Sequence, residues 1–379
     1  MPVIPVPHAT GSYPVYVEPG ALGRLNEFSS RHLIGRRLAL ISDTNVYPLF
    51  ERFRSGGGSE WRPPPTSTTV SAPVSLPQLS AELIIPAGEA SKTRDRWAEL
   101  SDALLERGFG RDSAIVALGG GMVGDLAGFV AATYLRGIPC IQVPTTLLAM
   151  VDASVGGKTG VDTPRGKNLI GAFHPPAAVV ADPLALRTLP EGEYRAGLAE
   201  AVKHGLIADR TYFSWLSTVA DQIAAREMDT LMQLVHRSVE IKAAVVADDE
   251  REAGRRAILN AGHTIAHAIE HASNYTLSHG EAVAIGLVVE SRLAEDIGVG
   301  QSGLSARVAD LLTRLGLPVK LQSALSGERL REAMTRDKKN RGSAIRFALP
   351  AEVGMMARGE NWTVEPPMAQ VAECLERLG

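Results

Sequence analysis

The chain is 379 residues long, with 45% hydrophobic and 21% charged residues, which are ordinary proportions for a globular protein with a sizeable core. At roughly 150 residues per domain, this length predicts two domains. The 39 basic and 42 acidic residues give a net charge of −3, which argues against broad binding to a nucleic-acid backbone. Two cysteines exclude a disulfide framework, and Gly, Pro or charged residues interrupt every apolar run before it could cross a membrane. The N-terminal sequence lacks the pattern of a secretory signal, so we expect a cytoplasmic protein.

The first half of the chain alternates short β-branched runs with helical patterns. Buried strands are predicted over 37–42, 113–118, 139–143 and 177–181, and helices over about 91–108 and 122–135. Strand–helix–strand units of this size are typical of a parallel sheet covered by helices. The segment 55–80 is rich in Gly, Pro and Ser, and we predict a surface excursion there because such a composition cannot pack.

Helical periodicity dominates after about residue 183. Helices are predicted over 191–225, 229–249, 257–273, 280–297 and 301–315, followed by one pair of strands at 344–349 and 353–356. We therefore predict an α/β domain with a Rossmann-like parallel sheet over 1–182 and a mostly α-helical domain over 183–379. A cleft between two such domains is the expected place for a site.

A glycine-rich turn, Gly119-Gly-Gly-Met-Val-Gly-Asp125, follows the predicted strand 113–118 and opens an apolar helix. It satisfies G-x-G-x-x-G in the strand–turn–helix context in which a pyrophosphate can approach the helix N-terminus. The acidic ribose ligand expected about twenty residues later is missing, and Asp43, which ends an earlier strand, is a candidate substitute. From this motif alone, a nucleotide site and a merely tight turn both remain open.

A second cluster, Asp152-Ala-Ser-Val-Gly-Gly-Lys-Thr159, ends like a phosphate-binding P-loop. Asp152 occupies the position of that motif's first glycine, and no strand runs straight into the segment, which argues against a P-loop. The cations Lys158, Arg165 and Lys167, together with flexible glycines, favour an anionic small molecule as ligand. A solvated basic loop would have the same composition.

Four of the nine histidines lie close together in the sequence, at His263, His267, His271 and His279. His263 and His267 have the i, i+4 spacing of a metal-binding pair, yet Thr264 stands where zinc peptidases need a general-base glutamate. His279 begins the next predicted helix, where Gly280 allows close approach. The cluster favours a metal site over four structural histidines, and Glu200 is one of several candidates for a carboxylate ligand.

Taken together, these motifs resemble the 3-dehydroquinate synthase family, within the sugar-phosphate cyclases, over nearly the whole chain. The matching segments are GGGMVGDLAGFVAATYLRG (119–137), PTTLLAMVDASVGGKTGVDTPRGKNLIGAF (144–173), GLAEAVKHGLI (197–207), DEREAGRRAILNAGHTIAHAIE (249–270), SHGEAVAIG (278–286) and MTRDKKNRG (334–342). The resemblance implies a dehydroquinate synthase-like fold and a monofunctional lyase of the shikimate pathway, which makes aromatic amino acids. The family converts 3-deoxy-D-arabino-heptulosonate 7-phosphate to 3-dehydroquinate by transient oxidation with NAD, β-elimination of phosphate, reduction, ring opening and aldol closure.

The resemblance also implies which residues form the site. One divalent metal, zinc or cobalt, would be held by Glu200, His263 and His279, so His267 would contact the substrate phosphate and not the metal. The NAD contacts would be Asp43, Asn45, Glu89, Lys92, Gly120, Gly121, Asp125, Thr145, Thr146, Lys167 and Thr188. The catalytic residues would be Asp152, Lys158, Lys203, Glu252, Asn260 and His267. The further substrate contacts would be Arg136, Asn168, Lys242, Arg256 and the pair Lys338 and Lys339.

The resemblance also bears on the oligomeric state and on the alternative functions. The family is commonly homodimeric, with the residue that matches Arg136 reaching the neighbour's phosphate site, and neither a nucleic-acid nor a membrane partner is expected. Other sugar-phosphate cyclases share the fold; among them are the 2-deoxy-scyllo-inosose, 2-epi-5-epi-valiolone and aminodehydroquinate synthases. A glycerol dehydrogenase-like alcohol dehydrogenase and a non-catalytic sugar-phosphate sensor are the remaining alternatives. The segment from Asp152 to Lys158 favours the dehydroquinate pattern.

Overall fold

The computed structural model describes residues 1–56, 60–61, 74–274, 276–321, 327–336 and 345–377. The chain forms two compact units. The first comprises Met1–Leu189 and Leu231–Ala243, and the second comprises Pro190–Thr230 and Ala244–Gly379. Compared with the predicted domains 1–182 and 183–379, residues 183–189 and 231–243 group with the first unit.

The described residues of the first unit form nine strands. In chain order they are β1 (Ile4–His8), β2 (Gly11–Val17), β3 (Arg37–Asp43), β4 (Leu79–Ile85), β5 (Ser113–Gly119), β6 (Cys140–Pro144), β7 (Lys158–Thr163), β8 (Gly166–Phe173) and β9 (Ala178–Ala181). Seven form one sheet in the order β1-β2-β9-β6-β5-β3-β4, and β7 pairs with β8 as a separate antiparallel hairpin. In the large sheet only the edge pair β1–β2 is antiparallel, so the predicted α/β class with a parallel sheet is confirmed.

Between residues 1 and 189, the part of the chain that the structure describes also forms four α-helices. They are α1 (Leu25–His32), α2 (Tyr47–Arg54), α3 (Arg94–Glu106) and α4 (Gly121–Thr133). Strand β5 is buried along its whole length because it is central in the parallel sheet and helix α4 packs on it, which explains its uninterrupted apolar sequence. Helix α4 packs on β5 and β7. A Cβ at Gly128 would lie 2.6 Å from the methyl group of Thr159, so this close contact between helix and hairpin requires glycine.

The chain after residue 190 is mostly helical. Its helices are α5 (Glu191–Ala208), α6 (Arg210–Thr218), α7 (Ala220–Ala224), α8 (Met228–Asp248), α9 (His263–Ala272), α10 (His279–Asp296), α11 (Leu304–Arg314), α12 (Gly327–Arg336) and α13 (Met368–Glu376). A short hairpin pairs β10 (Pro350–Glu352) with β11 (Met355–Met356). Helix α10 packs against α5, α9 and α11 and buries most of its residues. None of the helices in the described residues is long and apolar enough to span a membrane.

Two predicted helices are interrupted in the structure. The segment predicted as one helix over 191–225 is divided into α5, α6 and α7. Asp209 separates α5 from α6, because its backbone is extended and its side chain caps α6 by accepting a hydrogen bond from the Tyr212 amide at 2.9 Å, and Val219 separates α6 from α7. The segment 257–273 is a 3-10 turn over Arg255–Asn260 followed by α9. Gly262, in the left-handed conformation at φ 80°, separates the two.

Some of the predicted strands and loops are wrong. The strand at 353–356 pairs locally as β11 with β10, whereas Phe347 forms an isolated bridge with Val364, and residue 344 lies outside the described residues. The sequence patterns missed β1, β2, β4, β7 and β8. Within 55–80, where residues 57–59 and 62–73 are not described, Trp61 is buried against Phe53 and β4 begins at Leu79, so this segment is not wholly a surface excursion.

Candidate nucleotide and metal sites

Four neighbouring parallel strands of the first unit, β4, β3, β5 and β6, end at the same edge of the sheet. Asp43 ends β3, Glu89 follows β4, Gly120 follows β5 and Thr145 follows β6. Ligands of open α/β sheets bind outside the carboxyl ends of the strands. The fold therefore brings these four predicted NAD contacts to the edge where a nucleotide would bind.

The glycine turn lies at the N-terminus of α4, which begins at Gly121. A Cβ at Gly120 would lie 3.0 Å from the Thr146 methyl, and a Cβ at Gly121 would lie 3.2 Å from that of Ala153. The glycines therefore leave a small pocket, whose lining also includes Gly124 and Ser154. The free amides and positive dipole end of a helix N-terminus favour a phosphate group in such a place.

An ion-pair cluster stands beside this turn. The Nζ of buried Lys92 lies 2.6 Å from Oδ2 of Asp125 and 3.6 Å from Oε1 of Glu89. Burial alone would lower the pKa of Lys92, but the two carboxylates raise it, so the amine is charged. The Lys92 carbonyl accepts a hydrogen bond from the Asp162 amide at 2.7 Å, which ties this cluster to β7. Lys92 thus directly contacts two of the other predicted NAD contacts.

Two other predicted NAD contacts already have structural roles. Oδ1 of the buried Asp43 accepts hydrogen bonds from the Asn45 amide at 2.8 Å and the Val46 amide at 2.9 Å, so the carboxylate caps the turn after β3. The Thr188 hydroxyl accepts a hydrogen bond from Trp61 Nε1 at 3.0 Å and donates to the Ala185 carbonyl at 3.1 Å. The bond between Trp61 and Thr188 was not foreseen because the two residues are distant in the sequence, whereas the Asp43 bonds are local to the turn.

The predicted basic loop is an ordered hairpin. Lys158 begins β7, and Lys167 and Asn168 lie exposed on β8. The amide of Asn168, a residue with φ 54°, donates to Oδ1 of Asp162 at 2.8 Å. The segment is therefore a paired hairpin and not an irregular loop, and its cations Lys158 and Lys167 are exposed on it.

Two further predicted substrate contacts lie elsewhere in the first unit. Lys242 is buried, and its Nζ lies 2.7 Å from Oδ1 of Asp152. Arg136 is exposed on a turn with φ 71°, and within the described residues its guanidinium forms no hydrogen bond or ion pair. Arg136 therefore does not cap the carbonyls of α4, which is the structural role that a cation after a helix often has.

The second unit brings three metal-ligand side chains together. Glu200 lies in α5, His263 is the first residue of α9, and His279 is the first residue of α10. One potential ligand atom from each lies within 4.8 Å of the others, and both imidazole Nε2 atoms lie 3.5 Å from Oε1 of Glu200. A carboxylate and two imidazoles are a donor set that zinc and cobalt accept, so the residues fit a divalent metal.

The other nitrogen of each histidine faces an acceptor. His263 Nδ1 lies 3.1 Å from the Ala261 carbonyl oxygen, and His279 Nδ1 lies 3.4 Å from Oε1 of Glu270. A proton on Nδ1 would satisfy these acceptors and would leave the Nε2 lone pair for a metal. Both rings therefore present Nε2 to the same point.

The two histidines differ in their ionisation. Burial and the charge of Lys203 hold the pKa of His263 well below its ordinary value. Burial would also lower the pKa of His279, but hydrogen bonds with Glu200 and Glu270 raise it to about 9. In the metal-free protein at neutral pH, His263 is therefore neutral and His279 is positively charged. The positive charge of His279 balances the carboxylates of Glu200 and Glu270, as a bound divalent cation would do in its place.

A buried carboxylate fixes the helix that carries His263. Glu290 in α10 accepts hydrogen bonds from the Gly262 amide at 2.7 Å and the Ile265 amide at 3.1 Å, and so caps the N-terminus of α9. A Cβ at Gly286 would lie 2.0 Å from the Gly262 carbonyl oxygen, so the two helices could not approach this closely without that glycine. Glu290 was not singled out in the sequence, although an acidic residue within the apolar segment GLVVESRLA is the kind of signal that could have found it.

The predicted catalytic residues of the second unit also lie in this region. Lys203 is one turn after Glu200 in α5 and forms a buried ion pair with it. Asn260 Nδ2 donates to Oε1 of Glu252 at 2.8 Å, and the His267 ring stands edge-on to that of His263 with 5.6 Å between their centres. Arg256 is buried and donates to the Glu250 carbonyl oxygen. Lys338 and Lys339 lie outside the described residues.

An α/β unit with a glycine turn and a helical unit with a Glu–His–His cluster are typical of metal-dependent enzymes that use a nicotinamide nucleotide. Two family models match the chain, 3-dehydroquinate synthase N-terminal over residues 82–196 and 3-dehydroquinate synthase C-terminal over residues 197–340. The chain therefore belongs to the 3-dehydroquinate synthase family.

Individual relatives agree with this assignment. The chain is 45% identical to a 3-dehydroquinate synthase of Symbiobacterium thermophilum, over 90% of this chain and 92% of the relative. Among solved structures, it matches 2-epi-5-epi-valiolone synthase from Streptomyces hygroscopicus subsp. jinggangensis with NAD+ and Zn2+ bound, at 26% identity and a TM-score of 0.82 over 97% and 96% of the two chains. It also has the fold of 2-deoxy-scyllo-inosose synthase complexed with carbaglucose-6-phosphate, NAD+ and Co2+, at 23% identity and a TM-score of 0.85 over all of both chains.

Proposed function

We propose that this chain catalyses the 3-dehydroquinate synthase reaction, which converts 3-deoxy-D-arabino-heptulosonate 7-phosphate to 3-dehydroquinate and inorganic phosphate. The reaction makes the enzyme a carbon–oxygen lyase acting on a phosphate. The observation that carries the proposal is the convergence of Glu200, His263 and His279 in a chain 45% identical to a 3-dehydroquinate synthase over nine-tenths of its length.

We assign the metal to these three residues because two imidazole Nε2 atoms and one carboxylate oxygen face one another there. Zinc or cobalt, when bound, would act as a Lewis acid on the oxygens of the substrate carbon that is oxidised. The Ala261 carbonyl would hold the His263 ring in orientation. Lys203 would supply positive charge beside Glu200, where the substrate oxygens lose their protons.

We assign NAD to the carboxyl edge of the first unit's sheet, with its pyrophosphate at Gly120 and Gly121 and its ribose at Asp43. NAD, when bound, would supply a reversible hydride acceptor for C5 of the substrate, with no net consumption of the nucleotide. The remaining proposed contacts are Asn45, Glu89, Lys92, Asp125, Thr145, Thr146, Lys167 and Thr188. The Lys92 cluster would hold the cofactor-facing segments of α4 and of the turn after β4 together.

The substrate has two anionic ends and needs cations for both. The proposed contacts are Arg136, Lys158, Asn168, Lys242, Arg256 and the pair Lys338 and Lys339. Asp152 would orient Lys242, whose Nζ it contacts, and Glu252 would orient the Asn260 amide, which donates to it. His267 would contact the phosphate that leaves. Elimination, ring opening and aldol closure would then mainly require orientation and proton relay from these groups.

The competing functions are less well supported. The relative at 45% identity is a 3-dehydroquinate synthase, whereas the two other cyclases are at 26% and 23%. A simple alcohol dehydrogenase would not need a buried Arg256 and a buried Lys242 for an anionic substrate. A catalytically dead sensor should lack a metal ligand or a catalytic lysine, and the chain retains Lys203 with all three ligands. Aminodehydroquinate synthase remains the second candidate, because its site would need almost the same residues.

The test is phosphate release from 3-deoxy-D-arabino-heptulosonate 7-phosphate by the purified chain with NAD and zinc or cobalt, with the organic product identified by mass spectrometry. We expect stoichiometric phosphate and 3-dehydroquinate, and no activity from His263→Ala. The amino analogue of the substrate is assayed in parallel. A strong preference for the amino analogue would select the second candidate, and no phosphate from either compound would refute both.

We also propose that the chain is a cytoplasmic homodimer. The exposed Arg136 has no ion-pair partner among the described residues, which is consistent with a partner subunit's phosphate site as its target. In this proposal, the predicted domain 1–182 is the NAD-binding domain, and the predicted domain 183–379 is the domain that binds the metal and the substrate.

A further inference from the structure

Glu270 is a buried acid to which neither the motifs nor the proposed reaction assigns a role. It lies in the last turn of α9, and its side chain is 5% exposed. Its Oε1 lies 3.4 Å from Nδ1 of His279, while Nε2 of the same ring lies 3.5 Å from Oε1 of Glu200. The imidazole therefore stands between two carboxylates, one on each nitrogen.

The two contacts of this ring are not equivalent. Nε2 faces the point where His263 Nε2 and Glu200 also converge, so this nitrogen is the one available to a metal. Nδ1 points away from that point and towards Glu270. A carboxylate that accepts the second N–H of a metal-binding histidine fixes the tautomer, locks the ring and makes the ligand nitrogen more basic.

The two histidines have different acceptors behind them. His263 Nδ1 faces the Ala261 carbonyl, which belongs to the backbone just before α9 and cannot be removed by substitution. His279 depends on a side chain from a different helix, since Glu270 is in α9 and His279 begins α10. Of the two histidines, only His279 therefore has an Nδ1 contact that a substitution, at Glu270, can remove.

We propose that Glu270 is a positioning residue for the metal site: it holds the Nδ1 proton of His279, so that Nε2 faces Glu200 and His263 and, once it has lost its own proton, could bind a metal. This inference rests on the metal site proposed above. Glu270 itself does not touch the metal or the substrate in this assignment. It acts through His279, by setting both the direction and the basicity of one ligand.

The test compares Glu270→Leu, Glu270→Gln and a matched control, Glu295→Gln. Glu295 is also a carboxylate of the α9–α10 region, but it lies near the far end of α10, pairs with Arg292 and accepts the Ser305 amide. For each purified full-length variant, zinc and cobalt dissociation constants are measured by chelator competition, and the visible spectrum of the cobalt form is recorded. Thermal unfolding of the metal-free proteins reports on folding.

We expect Glu270→Leu to bind both metals about 10- to 100-fold more weakly than the parent chain and to change the cobalt spectrum. Glu270→Gln should be intermediate, at threefold or more, because its amide oxygen can still accept from Nδ1 but carries no charge. Glu295→Gln should bind metal like the parent chain. If Glu270→Leu does not fold, the glutamine variant and its cobalt spectrum decide the question.

Parent-like affinities and cobalt spectra in the Glu270 variants that fold would overturn this inference and leave the proposed function intact. A loss of affinity equal in Glu270→Gln and Glu295→Gln would also overturn it, since the effect would then reflect general helix stability. If the parent chain itself binds neither metal, the proposed metal site fails, which is a different result from failure of Glu270 alone.

Discussion

Lys203 follows Glu200 by one turn of α5, and the two side chains form an ion pair that is almost completely buried. The same carboxylate faces both imidazoles of the proposed metal site. In the metal-free protein, the positive charge of Lys203 therefore balances part of the negative charge of Glu200, which a bound divalent cation would also balance. Removing the lysine should leave a buried carboxylate that depends on the metal.

We expect Lys203→Met to lower the stability of the metal-free protein by about 3 to 5 kcal/mol, the usual cost of removing one partner of a buried ion pair. Zinc should restore much of this loss, so that the gap in melting temperature between chelated and zinc-loaded protein becomes wider than in the parent chain. Turnover should fall at least 100-fold. Thermal unfolding with chelator and with zinc measures the gap, and the exposed Lys320→Met serves as control. An unchanged gap would mean that the ion pair does not compensate the metal site.

The ligand assignment can be checked with two histidines of the same helix. His263 Nε2 faces Glu200, whereas the His267 ring stands 5.6 Å from that of His263 and is absent from the convergent set. His263→Ala should lose zinc in elemental analysis, and His267→Ala should retain zinc but lose most turnover. Chelation should abolish activity of the parent chain, and zinc or cobalt should restore it. Equal loss of zinc in both variants would favour the i, i+4 pair as ligands.

The metal site illustrates how far the sequence could lead. Histidine spacing and the segment SHGEAVAIG indicate a metal region, but spacing alone pairs His263 with His267, which lie on one helix face. The atoms that converge belong to three helices, with Glu200 more than sixty residues earlier in the chain. That convergence depends on how α9 and α10 pack, including the contact at Gly286 and the Glu290 cap, and no local pattern encodes it.

The fold of the first unit could be predicted where a strand is continuously apolar. Strand β5 and the glycine turn after it were found because a central parallel strand has a distinctive sequence. The hairpin of β7 and β8 was not found, since Lys158, Lys167 and the glycines look like a loop and the pairing depends on contacts with α4 and the Lys92 segment. Trp61 was missed for a similar reason, because its partner Thr188 is distant in sequence.

The loop that carries Glu252 and Arg256 has its own anchor. Asp249 accepts hydrogen bonds from the amides of Ala253, Gly254 and Arg256 at 2.9, 2.7 and 2.9 Å. We expect Asp249→Ala to cost about 1 to 3 kcal/mol of stability. It should also lower kcat/KM about tenfold or more, because Glu252 and Arg256 would lose their positions. Asp248→Ala, which removes only an exposed pair with Arg255, should change neither by much.

The same carboxylate predicts a pH dependence. Burial would raise the pKa of Asp249, but the three amide hydrogen bonds and Arg256 lower it below its ordinary value. A carboxyl whose pKa is lower in the folded state stabilises the fold above its unfolded pKa, and this stabilisation is lost as pH falls through the folded pKa. The difference in unfolding free energy between the parent chain and Asp249→Ala should therefore be full at pH 6 and should shrink below about pH 4. Urea unfolding at several pH values measures it, and a difference independent of pH would contradict the role of the charge.

The proposed shared site makes Arg136 testable by complementation. Its exposed guanidinium has no ion-pair partner among the described residues, and its backbone conformation holds it on a turn after α4. Arg136→Ala and Lys203→Met should each be nearly inactive alone. Mixing the two variants should restore part of the activity, because one of the two sites in each heterodimer would carry neither substitution. Under random assortment, about a quarter of all sites in the mixture would then be intact. Verified heterodimers without any recovered activity would argue that Arg136 serves its own subunit.

The cofactor prediction depends on Asp43. Its Oδ1 caps the turn after β3, so an asparagine could keep both amide hydrogen bonds through its own Oδ1 and would remove only the charge. Asp43→Asn should therefore fold like the parent chain, bind NAD more weakly and discriminate less against NADP, whose 2′-phosphate a carboxylate repels. Calorimetric titration of both nucleotides measures this. An unchanged preference would show that Asp43 is only a cap.

The hydride cycle itself is tested with substrate deuterated at C5. Because the proposed reaction returns the hydride to the carbon from which it came, the 3-dehydroquinate formed should retain the label, and the absorbance of reduced nicotinamide should stay flat over many turnovers. Asp43→Asn should slow turnover at limiting NAD without changing label retention, since the substitution affects binding and not the fate of the hydride. Reduced nicotinamide that accumulates in proportion to product would instead identify a net oxidation, as a glycerol dehydrogenase-like enzyme would carry out.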